Sequence, residues 1–119
     1  MLTYDKPPAM IMSMDVGSQL VALADPTRRS IYELIRRSPS SVRELTDDLP
    51  ISQPAVSQHL KVLSAAGLVT AVPDGAKRIY RTDPEGVAQL RAWIDSLWDD
   101  VLDNFTEAAR KEHTNETVP

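Results

Sequence analysis

No cysteine occurs in the 119 residues, so the chain forms no disulfide, offers no thiolate to a metal and has no cysteine nucleophile. That composition fits the cytoplasm. No run of about 18 apolar residues is present, so no membrane span is expected. The opening MLTYDKPPAM lacks the basic start and apolar run of a secretion signal. There is no glycine-rich phosphate loop, and His59 has no nearby Ser or Asp arrangement that would suggest a triad. Neither an enzyme nor a cofactor is expected. Repeats, low-complexity tracts and a dividing linker are also missing, which at this length points to one domain with one core.

The formal charge of −4 argues at first against nucleic acid. Its distribution matters more than its sum. Between Pro26 and Thr82 there are nine Lys/Arg and five Asp/Glu, and the rest of the chain holds four against twelve. The middle is basic and the flanks are acidic. Chance clustering on solvated faces gives the same asymmetry, so charge alone does not decide the partner.

The stretch that decides more is ISQPAVSQHLKVLSAAGLV, from Ile51 to Val69. Val56, Leu60, Leu63 and Gly67 recur at steps of three and four, so they fall on one helix face. Ser52 is placed to accept a backbone N–H bond as N-cap. Gly67 suits the left-handed position that ends a helix. Gln53, Pro54, Ser57, Gln58 and Lys61 form a second face of amides, hydroxyls and a cation. Alone, this pattern is also that of an ordinary amphipathic surface helix. The flanking sequence separates the two readings.

Residues 1–14 contain Pro7, Pro8 and methionines with no clear period, and read as an N-terminal arm. DVGSQLVALA, from Asp15 to Ala24, has Val16, Leu20 and Leu23 at helical spacing. Asp25-Pro26 supplies an N-cap and a proline at the first helical position, opening a second helix to about Arg37. Ile31, Leu34 and Ile35 form its buried stripe, with Arg28, Arg29, Arg36 and Arg37 off it. Arg28 and Arg29 fit either a DNA-backbone contact or an internal salt bridge. Ser41 and Glu44 have the spacing of a capping box for a short third helix, which Pro50 stops. Two helices joined by a short turn, the second polar on its free face, form a helix-turn-helix. Leu68–Val72 reads as a strand, Pro73-Asp74-Gly75 as a turn, and Lys77–Thr82 as a return strand alternating basic and apolar residues. This hairpin beside the helix-turn-helix makes a winged helix. Asp83-Pro84 repeats the capping device, and a long helix follows to about Lys111. Val87, Leu90, Ile94, Leu97 and Val101 line it, and Trp93, Trp98, Leu102 and Phe105 widen the stripe. A small domain cannot cover such a stripe alone. The expected dimer interface is therefore Leu90, Ile94, Leu97, Trp98, Val101 and Phe105, facing a second copy. Residues 112–119 read as a flexible polar tail.

From Leu23 to Tyr80 the chain resembles the arsenic-repressor-type (ArsR) winged-helix transcription regulators. The blocks that carry the resemblance are LADPTRRSIYELI, SVRELTDDLPISQPAVSQHLKVLSAAGLV and DGAKRIYR. LRAWIDSLWDDVLDNF looks like the last helix of a subgroup without the known metal motifs. The resemblance implies a mainly α fold with a small β-hairpin and a long C-terminal dimerisation helix. It implies a homodimer that binds a palindromic operator in double-stranded DNA and represses transcription. The family's DNA-reading positions fall on Ser52, Gln53, Pro54, Ser57 and Gln58, with support from His59 and Lys61. The residue types suit that role. Gln bonds adenine in bidentate fashion, Ser serves bases or phosphates, and proline offers an apolar surface to a thymine methyl. Gln58 is central on the outward face and is the first choice for base readout. Lys77 and Arg78 should meet phosphates or the minor groove, in an order that depends on strand register.

Departures from the family pattern are informative. Its best-known members sense metals through cysteines on the third helix, where this chain has Glu44-Leu45-Thr46-Asp47-Asp48. A second site type uses His and Asp on the last helix. Here the histidines are His59, in the reading helix, and His113, in the tail. A His113–Glu116 pair completed by a partner's acids would be an atypical metal site. However, carboxylates alone do not favour zinc-class ions, and no metal site is expected. Asp95, Asp99, Asp100 and Asp103 read as the solvated back of the long helix. The alternative of another class is a winged-helix module that binds protein. An exposed apolar patch would then be expected where this chain has a polar face. The reading is thus a sequence-specific, dimeric DNA-binding repressor, without metal sensing, open to a small-molecule effector of unspecified kind.

Overall fold

The computed structural model describes residues 16–117, with side chains as far as residue 111. The arm read over residues 1–14 lies outside them, as do the side chains of His113 and Glu116. The chain divides into two units, the first closing at Gln89 and the second opening at Leu90. In order the elements are α1 (Val16–Ala24), α2 (Pro26–Arg37), β1 (Ser40–Ser41), α3 (Val42–Asp47), α4 (Gln53–Ala65), β2 (Val69–Asp74), β3 (Lys77–Thr82) and α5 (Pro84–Thr117). Among the described residues no helix is long and apolar enough to cross a membrane.

The helix starts follow from their caps. Asp25 accepts the Arg28 N–H at 2.9 Å, and Pro26 needs no partner for a missing N–H. That bond, with smaller pulls from the Arg28 and His59 charges, holds the Asp25 carboxyl below its ordinary pKa. Ser41 and Glu44 close a reciprocal capping box: Ser41 N–H donates to Glu44 Oε1 at 2.8 Å, and Glu44 N–H donates to Ser41 Oγ at 3.2 Å. The Ser41 bonds, then the Lys77 charge, hold the Glu44 carboxyl low. Ser52 caps α4 through Ala55 N–H, and Asp83 caps α5 through Glu85 N–H.

Ser41→Ala should lower stability by about 1 kcal/mol, read as the midpoint of urea unfolding. A depressed carboxyl stabilises above its ordinary pKa and loses that effect as the pH falls through its folded value. The gap between Glu44→Ala and wild type should therefore narrow below about pH 4, whereas Ser41→Ala keeps the Ser41 N–H bond to Glu44 and should cost much the same at either pH. An unchanged midpoint at neutral pH would mean that the box adds nothing.

The core lies where α2, α3, α4 and the strand after α4 meet. Ile31 and Ile35, Leu45, then Val56, Leu60 and Leu63 are buried, joined by Leu68 and Val69. These are the periodic positions of each helix, so each apolar stripe closes on the same centre. In α1 the helical spacing is right, but the buried residues are Gln19 and Ala22. Leu20 and Val21 are 43% and 67% exposed. Gln19 Nε2 donates to the Gly86 carbonyl at 2.9 Å, which ties α1 to the first turn of α5. The end of α4 approaches at the same place. Gly67 takes φ +76, its N–H donates to Ser64 and the Leu68 N–H to Leu63, a Schellman closure. A Cβ added to Gly86 would run into the Gly67 carbonyl oxygen.

The sheet has three strands in the order β1-β3-β2, one more than the hairpin read from sequence. In β1, Ser40 and Ser41 pair with Tyr80 and Ile79. A two-residue strand carries no alternation to read. The wing turn also lies later than Pro73-Asp74-Gly75. Pro73 and Asp74 belong to β2, paired with Arg78 and Lys77. The reversal falls at Gly75 and Ala76, with Gly75 at φ +65. Proline is tolerated there because β2 is an edge strand.

The second unit is α5 from Leu90 onward. The whole helix has 34 residues and a length near 50 Å. It runs to Thr117, past the end read at Lys111, so residues 112–117 continue the helix. The apolar stripe ends at Phe105 and signals nothing further, yet no proline or glycine interrupts the backbone before Pro119.

Candidate nucleic-acid interface

The outward face of α4 is set by its inward one. With Val56, Leu60 and Leu63 fixed in the core, Ser52, Gln53, Pro54, Ser57, Gln58 and Lys61 are all exposed. The face is polar along its length and ends in one cation. His59 differs. It is half-buried, and its charge acts on Asp25, the cap of α2. It lines neither of the two hollows beside α4.

Two open hollows flank α4 where it meets the wing. One, of about 590 Å³, is lined by Gln53 from α4, Lys77, Arg78 and Tyr80 from β3, and Arg43 and Asp47 from α3. The other, of about 570 Å³, brings Ser57, Lys61 and Ser64 of α4 to Thr70 of β2 and to Arg78 and Tyr80. Arg78 and Tyr80 border both. Lys77 and Arg78 are both exposed and both line the first hollow, so neither wing cation is singled out. Gln53, Ser57, Lys61, Lys77 and Arg78 are therefore gathered around one surface. Ser52, Pro54 and Gln58 stand exposed on the same helix without lining either hollow.

Arg28 and Arg29 are held by backbone carbonyls rather than by an internal salt bridge. Arg28 Nε donates to Ala22 O at 2.8 Å and Nη2 to Val21 O at 3.3 Å, while Arg29 Nη1 donates to Leu23 O at 2.9 Å. Both cations cap the carbonyl end of α1, where the helix dipole is negative. The fold of the chain back from α1 onto α2 puts those carbonyls within reach, and no local pattern reports that. Sequence reading also left out Arg43, Ser64, Thr70 and Tyr80. Ser64 lies on α4 itself, one turn past the polar face read from sequence, while the approach of Arg43, Thr70 and Tyr80 to α4 depends on how α3 and the wing pack. Along α5, Leu90 is half-buried. Ile94, Leu97, Trp98, Val101 and Phe105 are 45–70% exposed, on one side of the helix.

A family model, bacterial regulatory protein, arsR family, matches residues 25–71. HTH-type transcriptional regulator Rv2034 of Mycobacterium tuberculosis is 48% identical over 91 residues, which cover 76% of this chain and 85% of the relative. HTH-type transcriptional repressor SmtB, from the same species, is 41% identical over 74% of this chain and 65% of its own length. A solved structure from Mycobacterium bovis, described as a homodimeric winged helix-turn-helix DNA-binding domain, has a TM-score of 0.63 at 26% identity. It covers 84% of this chain and 92% of that one. With its capped α4, its basic wing and these relatives, the chain belongs to the ArsR family of winged helix-turn-helix transcriptional regulators, which are not enzymes.

Proposed function

We propose that this regulator is a homodimeric repressor that reads a palindromic operator in the cytoplasm and responds to no metal. The observation that carries the reading is the exposed polar face from Ser52 to Lys61, fixed by its cap and core stripe beside Lys77 and Arg78. A helix of this kind fits the major groove. Gln53, Ser57 and Gln58 would address base edges, and Pro54 a thymine methyl. Lys61, Lys77 and Arg78 would neutralise phosphates. Two copies related by a twofold axis would read half-sites about one helical turn apart. The relative named as a repressor supports the sign of regulation, and the homodimeric neighbour supports the assembly. The metal-free reading is supported by the lack of any cysteine in the sequence.

The test is fluorescence anisotropy with duplexes from the chain's own promoter region and from random-site selection. Specific, salt-dependent binding is expected, and its absence from both pools would refute the reading. Gln58→Ala should cost about 1–3 kcal/mol on the selected site and relax preference at one base position. Equal losses on every sequence would take Gln58 out of base readout.

A further inference from the structure

Arg43 is an exposed cation on α3 that neither the reading helix nor the wing accounts for. It lines the same hollow as Gln53 and Lys77, one from each of those two elements. Among the described residues it has no side-chain partner. Glu44 is its chain neighbour, but successive helical residues do not face each other. The Glu44 carboxylate is also engaged with the Ser41 N–H. Asp47 stands four residues on, where an ion pair could form. Yet among the described residues Arg43 makes no ion pair or hydrogen bond, whereas Arg36 pairs with Glu33 at 2.7 Å and Arg91 with Asp95 at 3.7 Å. Arg28 and Arg29 are held by α1. Of the first unit's arginines, then, Arg43 is one left open, and it stands open toward the surface proposed for DNA.

We infer that Arg43, together with Lys77, binds a DNA backbone phosphate in the hollow between α3 and the wing. The inference rests on the DNA-binding reading and extends it to a third element. The guanidinium presents a planar pair of N–H donors that matches two phosphate oxygens, with Lys77 as a second charge. Arg43, Lys77 and Arg78 outnumber the Glu44 and Asp47 carboxylates in the hollow, and Glu44 is already bonded. Asp47 is the charge that opposes an incoming phosphate. Contacts from α3, α4 and the wing do not lie on one line. Together they would fix the tilt of the reading helix, whereas a backbone contact by itself carries no base preference.

The experiment measures affinity of the full chain for its selected operator and for a scrambled duplex, from about 50 to 200 mM salt. Arg43→Ala should reduce the slope of log K against log salt by about 0.9, weakening both duplexes roughly five-fold near 0.15 M. Its melting temperature should match wild type, since Arg43 has no partner among the described residues. Asp47→Asn should act in the opposite direction, tightening both duplexes alike. An Arg43→Ala protein with wild-type affinity and slope would overturn the phosphate site while the DNA-binding reading stands on the wild-type curve. A loss confined to one operator sequence would overturn it too, because that is base readout. If wild type itself shows no salt-dependent binding, both readings fall together.

Discussion

Gly86→Ala is expected to destabilise the protein by roughly 2–4 kcal/mol, although exchanging glycine for alanine inside a helix ordinarily gains up to about 1 kcal/mol. The reversal comes from the Gly67 carbonyl, which occupies the place of the new Cβ. Gly67 cannot retreat freely. Its φ of +76 and the Schellman bonds from Gly67 and Leu68 end the reading helix. Asp83 N–H also holds Leu68 O at 2.9 Å, so the chain entering α5 is fixed from both sides. The first turn of α5 would have to move, and its movement would break the 2.9 Å bond from Gln19 to Gly86 O. Gln19 is fully buried, and its Oε1 has no partner among the described residues, so losing the Nε2 bond would strand the whole amide. At about 4–8 °C per kcal/mol, melting should fall by roughly 10–25 °C at fixed protein concentration. A neutral or stabilising Gly86→Ala would show that α5 and α4 do not approach this closely.

That node also marks the limit of what the sequence discloses. The Asp-Pro caps, the Ser41–Glu44 box and the stripe of Val56, Leu60 and Leu63 are legible because each is a local device. Cap and capped N–H lie within three residues, and a helix face repeats every three or four. The hairpin is legible for the same reason, apart from its turn, which Pro73 disguises. Gly86 and Gln19 are 67 residues apart along the chain, and nothing near either one announces the other. A glutamine in a nine-residue helix looks like a solvated position, while Leu20 looks like core, and the structure reverses the two. The interface divides in the same way. The outward residues of α4 follow from its inward ones, so Gln53, Ser57 and Lys61 are found by elimination. Arg43 is not, because its proximity to Lys77 depends on β1 pairing with β3, which brings the start of α3 to the wing.

Leu97→Glu should convert a dimer into monomers and abolish tight operator binding. The starting point is the apolar band on α5. At 100° per residue, Trp93, Ile94, Leu97, Trp98, Val101, Leu102 and Phe105 spread over about half the helix circumference. They are 38–70% exposed, and the three aromatic rings alone leave on the order of 350 Å² in water. Asp95, Asp99 and Asp103 fall on the opposite face, so the band is bounded rather than diffuse. A patch of this size on a lone chain calls for a partner. A second copy would supply a matching band, as in the proposed homodimer, and twofold symmetry would make every substitution count twice. Removing the leucine forfeits about 2 kcal/mol of burial per protomer, and an unpaired carboxylate in the seam adds about 3 more. Doubled, that is enough to weaken association by more than 10⁴-fold. Since Leu97 is 45% exposed in the single chain, each protomer should stay folded. Sedimentation velocity reads the mass, and anisotropy reads the loss of two half-sites held together, worth 10²-fold or more in avidity. A Leu97→Glu protein that still sediments as a dimer at micromolar concentration would move the interface off this band.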